Sequence, residues 1–217
     1  PAYAKRRAAL VGERALEGAV TGIPGSDTTY LCAADAEGNL VSFIQSLFGP
    51  FGSGIGCGET GIVLQNRASG FRLDDAHPNG LAPRKRPLHT IIPGMLLRDG
   101  AAFMAFGIMG GDSQPQSHLA FVSNLVDHGL NPQEALDRAR FRWHGGLRVS
   151  VETPDAAVDE GGSLAEALAA RGHAVERPPA VFVDLFGGGQ AVAREADGLL
   201  VGASDRRKDG CAMGVFS

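Results

Sequence analysis

Asp27-Thr28-Thr29-Tyr30 heads an apolar run, and Met109-Gly110-Gly111-Asp112 answers it further along the chain. A threonine at a point of chain cleavage becomes the first residue of a new chain. It then carries both a hydroxyl nucleophile and an α-amine. That amine titrates at about 7.7–8, far closer to neutrality than a lysine. A general base works best near the operating pH, so such an amine could take the hydroxyl proton. Two adjacent glycines can turn two backbone N–H groups toward an oxyanion. Residues of these types could cut their own chain once and then cut amides. Each pair also has a plainer reading, since Thr-Thr suits a strand and Gly-Gly a turn.

Positioning such groups takes particular elements. Ala8, Leu10, Val11, Ala15 and Leu16 recur at helical spacing and predict a helix over 4–20. Thr21 to Ser26, with Gly22, Pro24 and Gly25, reads as a breaker-rich linker, the kind of exposed segment where cleavage is expected. Leu31–Ala34 and Leu40–Leu47 read as strands joined through Asp35-Ala36-Glu37-Gly38-Asn39, a hairpin that puts Thr28 and Ser46 on neighbouring strands. Thr29 then points to the opposite side from Thr28. Gly56-Cys57-Gly58-Glu59-Thr60-Gly61 fits the spacing of a dinucleotide loop, but the strand Ile62-Val63-Leu64 follows where a helix should open, so it reads as a substrate-facing loop.

Residues 88–92, 95–98 and 101–107 read as strands, the last two turning at Arg98-Asp99-Gly100. Gly110 and Gly111 precede a helix from Gln114 to His128, whose N-terminus carries partial positive charge suited to an oxyanion. Asn131-Pro132 opens another helix, and Ser163 with Glu166 reads as the capping box of a helix ending near Gly172. Val181–Ala203 reads as β-rich, with Ser204-Asp205 stabilising the loop after it. Helices packed against stacked sheets make the expected class α+β.

A chain of 217 residues with 44% apolar content can bury one core. A net charge of −4 gives no electrostatic basis for nucleic-acid binding. Arg84-Lys85-Arg86 and Arg206-Arg207-Lys208 read as solvated loops. Three cysteines without CxxC spacing argue against a disulfide framework and a zinc site, and Cys32 reads as a small buried hydrophobe. His118 and His128 are not spaced as a metal pair. No metal and no cofactor is expected. No apolar stretch approaches a membrane span, which predicts no membrane partner and a cytoplasmic protein, or a periplasmic one if a signal precedes the upstream segment.

From Asp27 onward the chain resembles the small subunit of the γ-glutamyltranspeptidase family, self-processing N-terminal nucleophile hydrolases built as an αββα sandwich. The resemblance rests on Asp27-Thr28-Thr29-Tyr30, Glu37-Gly38-Asn39, Phe51-Gly52-Ser53-Gly54 and Gly58-Glu59-Thr60-Gly61-Ile62-Val63-Leu64. It continues through Arg86-Pro87-Leu88-His89-Thr90, Met109-Gly110-Gly111, Asn131-Pro132-Gln133-Glu134-Ala135 with Arg140-Phe141, and Gly202-Ala203-Ser204-Asp205. It implies processing between Asp27 and Thr28, Thr28 as nucleophile, Ser46 as the hydroxyl that orients it, and Gly110 and Gly111 as the oxyanion hole. It also implies that residues 1–26 are the tail of a large subunit and 27–217 the catalytic small-subunit domain. The large-subunit portion of the same precursor is then the partner, supplying half of the core and a substrate-binding arginine. The resemblance also implies a chain that depends on this portion for activity, and it allows a higher oligomer.

Where γ-glutamyl enzymes hold the glutamyl α-amine and α-carboxylate, this sequence departs. Phe48 stands where asparagine is usual, Arg67 for glutamine, Gly70 for the acidic residue that meets the α-amine, and His89-Thr90 for a Ser-Ser pair. An ammonium group would lose its carboxylate at Gly70 and meet a guanidinium at Arg67. An acyl group ending in a carboxylate would suit that guanidinium. The pattern resembles the acylase and oxamate-hydrolase branches, which act on amides of small dicarboxylic acyl groups. Phe71 to Arg86 also reads as too short for the family's lid loop, which favours hydrolysis over transfer. Two rival readings remain: an ordinary γ-glutamyl transferase or glutathione hydrolase with an altered pocket, and a non-processing, non-catalytic relative that binds small acids.

Overall fold

The computed structural model describes residues 27–152, 160–179 and 185–215. The helix expected over 4–20 and the linker after it lie outside these residues. The described residues fall into two compact units, one made of 27–138 and 185–215 and the other of 139–152 and 160–179.

The larger unit begins with an antiparallel hairpin, β1 (Asp27–Ala34) and β2 (Leu40–Phe48). Its turn is held by Asp35, whose carboxylate accepts from the Asn39 backbone N–H at 2.8 Å and from the Asn39 amide at 2.7 Å. Two short strands follow, β3 (Gly56–Cys57) and β4 (Ile62–Val63), separated by a 3-10 turn rather than the helix that a dinucleotide loop opens. Strands β5 (Gly94–Arg98) and β6 (Ala101–Met109) come next, then helices α1 (Gln114–Val126) and α2 (Pro132–Asp137). Helix α2 opens on the expected cap: Asn131 Oδ1 accepts from Glu134 N–H at 2.9 Å, and Glu134 Oε2 accepts from Asn131 N–H at 3.0 Å.

The smaller unit holds β7 (Phe141–Gly145), β8 (Arg148–Val151), helix α3 (Glu160–Ala170) and β9 (Ala174–Glu176). Strands β7 and β8 pair antiparallel, and β8 and β9 pair parallel across the helical connection. Val149, Val151 and Ala165 form its core, with Leu164, Leu168 and Trp143 packed around them. The chain then returns to the larger unit as β10 (Gly188–Arg194) and β11 (Leu200–Ser204).

In the larger unit a four-stranded sheet runs in the order β11-β10-β6-β5. Alternation along β6 serves both of its faces. Met104, Phe106 and Ile108 join Phe121 of α1 and Leu136 of α2 in one core, where each fully buried side chain contributes about 1.5–3 kcal/mol relative to exposure. Gly107 faces the hairpin instead. A Cβ there would stand 2.4 Å from the Tyr30 ring, so only glycine lets that ring lie against β6. Tyr30 donates to or accepts from Ser42 Oγ at 2.8 Å, and Ser42 Oγ donates to the Phe106 carbonyl at 3.4 Å. Helices, sheet and hairpin thus form three layers. The outer face of the hairpin carries Leu31, Val41 and Phe43, an apolar strip whose residues are all about half exposed.

Four expectations need correction. Residues 88–92 form no strand, because side chains of α1 take the backbone groups of Ile92 and Pro93 has no N–H to give. Ser163 lies inside α3 rather than at its N-cap, since the helix already runs from Glu160 and is carried by Leu164, Ala165 and Leu168 packing on the sheet. Cys32 is half-buried rather than fully enclosed. Arg207 is not solvated: it pairs with Asp205 at 3.0 Å and donates to the carbonyls of Leu136 and Arg138. Asp205 also accepts from Gly189 N–H at 3.0 Å, so Ser204-Asp205 does stabilise its loop.

Candidate active site

Thr28 and Ser46 are direct register partners across β1 and β2. The Thr28 hydroxyl donates to Ser46 Oγ at 2.9 Å, and the backbone N–H of Phe48 donates to the same oxygen at 3.0 Å. Ser46 therefore accepts twice, which fixes the direction of the Thr28 O–H and turns the Thr28 lone pairs away from it. Thr28 is 9% exposed, whereas Thr29 faces outward. The ladder slips between Asp27 and Thr28: Asp27 pairs with Phe48, and Leu47 is passed over. Bulges of this kind re-aim a side chain beside active sites. Phe48 sits within it at φ +76, a left-handed conformation that costs a bulky residue about 1–3 kcal/mol. Burial of its ring and the bond from its N–H hold it there.

Gly110 and Gly111 follow β6 at φ +144 and +58, and a 3-10 turn from Gly111 to Ser113 leads into α1. The Gly110 carbonyl accepts from Ser113 Oγ at 2.8 Å and from Ser113 N–H at 3.2 Å. A trans peptide sends its N–H opposite to its C=O. With the Gly110 carbonyl bound to Ser113, the Gly111 N–H points the other way, as a donor to an oxyanion must. This turn needs a third glycine that the sequence reading did not single out. A Cβ on Gly187 (φ +72) would lie 1.9 Å from the Met109 carbonyl oxygen, and one on Gly110 would lie 3.1 Å from Gly187 Cα. The available signal was the run Gly187-Gly188-Gly189.

Arg67 is 2% exposed, in a 3-10 turn over Arg67–Gly70. Its guanidinium carbon stands 5.1 Å from the centre of the Phe48 ring, and Nη1 donates to Thr90 Oγ1 at 3.3 Å. Among the described residues, Nη2 is buried with no hydrogen-bond partner. Burial lowers the pKa of this arginine, and the carboxylate of Asp112, next to Gly111, works in the opposite direction. The structure thus brings Phe48, Arg67 and Thr90 together. It does not bring His89 to them: that side chain is exposed, with Nδ1 2.8 Å from the Pro87 carbonyl. Gly70 opens onto free space. The loop between Arg72 and Leu81 is short and tied by its own bonds, including Asn79 Nδ2 to the Gly70 carbonyl at 2.7 Å.

Residues 1–215 match the family model described as Gamma-glutamyltranspeptidase. The chain belongs to that family. It is 39% identical to the glutathione hydrolase-like YwrD proenzyme of Bacillus subtilis (strain 168), over 98% of this chain and 40% of that one. It is 40% identical to the oxamate amidohydrolase proenzyme of Klebsiella pneumoniae, over 88% of this chain and 36% of that one. A solved cephalosporin acylase from Bacillus halodurans superposes with a TM-score of 0.83 at 43% identity, over 97% of this chain and 37% of that one. The chain therefore spans about two fifths of the length of these relatives. Its fold is the α+β fold of the N-terminal nucleophile hydrolases that make up the family. Within it, the paired hydroxyls, the diglycine turn and the buried guanidinium lie in one unit of this γ-glutamyltranspeptidase family member.

Among the described residues, no group of three or more His, Cys, Asp or Glu side chains could hold a metal ion. Among the same residues no helix is long and apolar enough to cross a membrane.

Proposed function

We propose that this chain is the small-subunit part of a self-processing threonine amidohydrolase, acting on amides of small acyl groups that end in a carboxylate. The observation that carries the proposal is the 2.9 Å hydroxyl pair of Thr28 and Ser46 at a strand bulge. In the processing step, the Thr28 oxygen attacks the Asp27 carbonyl carbon and the peptide C–N bond breaks. An ester to Thr28 forms and the Thr28 α-amine is released. Water then cleaves the ester, leaving an Asp27 carboxylate and a free Thr28.

Catalysis repeats the chemistry on another amide. The α-amine takes the hydroxyl proton as Thr28 attacks, and the tetrahedral oxyanion is met by N–H groups of Gly110 and Gly111. The same proton passes to the departing amine. A water molecule, activated by the α-amine, hydrolyses the acyl-threonine ester and releases the acid. Ser46 orients the nucleophile throughout. Residues 1–26 are proposed as the tail of the large-subunit portion and 27–217 as the small-subunit domain. The large-subunit portion is the proposed partner, which the apolar strip of Leu31, Val41 and Phe43 supports.

Arg67 supports a carboxylate-bearing acyl group, because its Nη2 has no partner among the described residues, in a buried setting where an anion would meet little screening. Phe48 and Thr90 wall the pocket, and His89 is proposed at its rim. Kinetics with glutaryl-p-nitroanilide, oxamate and γ-glutamyl-p-nitroanilide test this with the processed full-length precursor. Preferred turnover of the glutaryl or oxamate amide is expected. Faster turnover of the γ-glutamyl amide would turn the reading to a γ-glutamyl transferase or glutathione hydrolase.

A further inference from the structure

Ile92 follows the pocket residue Thr90 by two positions, in a segment that pairs with no strand. Both of its backbone polar groups are held by α1. Its N–H donates to Gln114 Oε1 at 3.1 Å, and its carbonyl oxygen lies 2.9 Å from His118 Nε2, which is also 3.4 Å from the Ile108 N–H. Gln114 and His118 stand four residues apart on one face of the helix. The second ring nitrogen of His118, Nδ1, lies 2.7 Å from the Gln114 carbonyl, and the Phe106 ring packs against the imidazole with centroids 5.3 Å apart, so the ring cannot turn freely. Helix α1 itself starts at the Gly110–Gly111 turn. Through these two side chains one rigid element carries both the diglycine turn and the segment that presents Thr90 to Arg67.

Gln114 has the mark of a residue kept for its oxygen. It is 0% exposed, and its Nε2 is buried with no hydrogen-bond partner among the described residues. Leucine would fill the same space without that cost, but would leave Ile92 N–H without an acceptor. We infer that Gln114 and His118 are positioning residues that set acyl-group selectivity without touching the substrate, by fixing Thr90, and so the Arg67 guanidinium, relative to the oxyanion turn. This rests on the proposed role of Arg67 toward an acyl carboxylate.

The test uses the processed full-length precursor with two substrates, glutaryl-p-nitroanilide, which carries the carboxylate, and valeryl-p-nitroanilide, which lacks it. His118→Leu removes the polar contact to the Ile92 carbonyl, and His118→Gln keeps a side-chain N–H able to make it. His118→Leu is expected to raise KM for the glutaryl substrate about tenfold, with kcat and the valeryl kinetics moving by less than about threefold. His118→Gln restores most of the difference. If His118→Leu does not fold, Gln114→Leu carries the same comparison from the other end of the clamp. Hydrogen exchange gives a readout free of substrate: the Ile92 amide is protected in wild type and exchanges faster in Gln114→Leu. Unchanged selectivity in a folded variant, or an unprotected Ile92 amide in wild type, overturns the inference. Equal use of the two substrates by wild type, with Ile92 protected, instead defeats the role of Arg67 and leaves the clamp supported.

Discussion

Ser46 Oγ receives the hydroxyl of Thr28 and the backbone N–H of Phe48 at once, at 2.9 and 3.0 Å. One oxygen therefore couples the direction of the Thr28 hydroxyl, the proposed nucleophile, to a strained backbone. Removing it in Ser46→Ala takes away the acceptor of the Thr28 hydroxyl and leaves a buried N–H without its Ser46 acceptor, a loss of about 1–3 kcal/mol. Processing and turnover should both slow by about 10- to 100-fold, followed as band conversion on a denaturing gel and as anilide release. Ser46→Thr keeps the hydroxyl and should stay within several-fold of wild type. Equal rates for Ser46→Ala and wild type would remove Ser46 from the site.

Gly187 tests the diglycine turn from outside it. In Gly187→Ala the new methyl meets the Met109 carbonyl oxygen, and φ +72 disfavours any side chain. The backbone before Gly110 must shift, and a displaced oxyanion donor costs about 10²–10³ in kcat. The expected result is a folded, lower-melting protein whose kcat collapses while KM changes little. Unchanged kcat would show that the turn does not bear on the oxyanion.

Most of this arrangement was legible in the sequence, and the gaps have physical reasons. The β1–β2 hairpin, the pairing of Thr28 with Ser46 and the opposite orientation of Thr29 follow from strand alternation and a turn, which are local signals. The Asn131 cap is local too. What escaped was long-range. Arg207 looks like one of three adjacent surface cations, yet the carboxylate of Asp205 and two distant carbonyls draw it inside. The segment 88–92 has strand composition, but Leu88 is bonded to the side chain of Asn79 in a loop and Ile92 to side chains of a helix, partners that composition does not reveal. Gly187 matters because of a backbone more than seventy residues away in sequence, close enough in space to touch it. The strands β7, β8 and β9 carried no alternation strong enough to read.

Cysteine reactivity gives a test of hairpin packing that is independent of catalysis. Burial raises the Cys32 thiol from its ordinary 9.0 to about 11, with a hydrogen bond to Tyr30 opposing the rise, whereas Cys211 is exposed. The folded state keeps the proton that an unfolded chain releases above pH 9. The stabilisation is therefore complete below that pH and is lost as pH climbs through 11. In native protein at pH 8, a thiol reagent should modify Cys211 first and Cys32 last. The Cys32 rate should rise about tenfold per pH unit up to pH 10, because only the thiolate reacts. Cys32 labelling as fast as Cys211 at pH 8 would contradict the packing of β1 against β6.

The proposed chemistry depends on a free amine beside the Thr28 hydroxyl, so the most direct measurement is whether a new N-terminus forms at Thr28. Intact mass and N-terminal sequencing of the full-length precursor, before and after activity appears, should show a break between Asp27 and Thr28 that rises in step with turnover. The acid limb of kcat/KM should fall at about pH 7.7–8, the range of an α-amine. Thr28→Ala should remain one chain and stay inactive. Full activity in protein still joined across Asp27 and Thr28 would contradict the account.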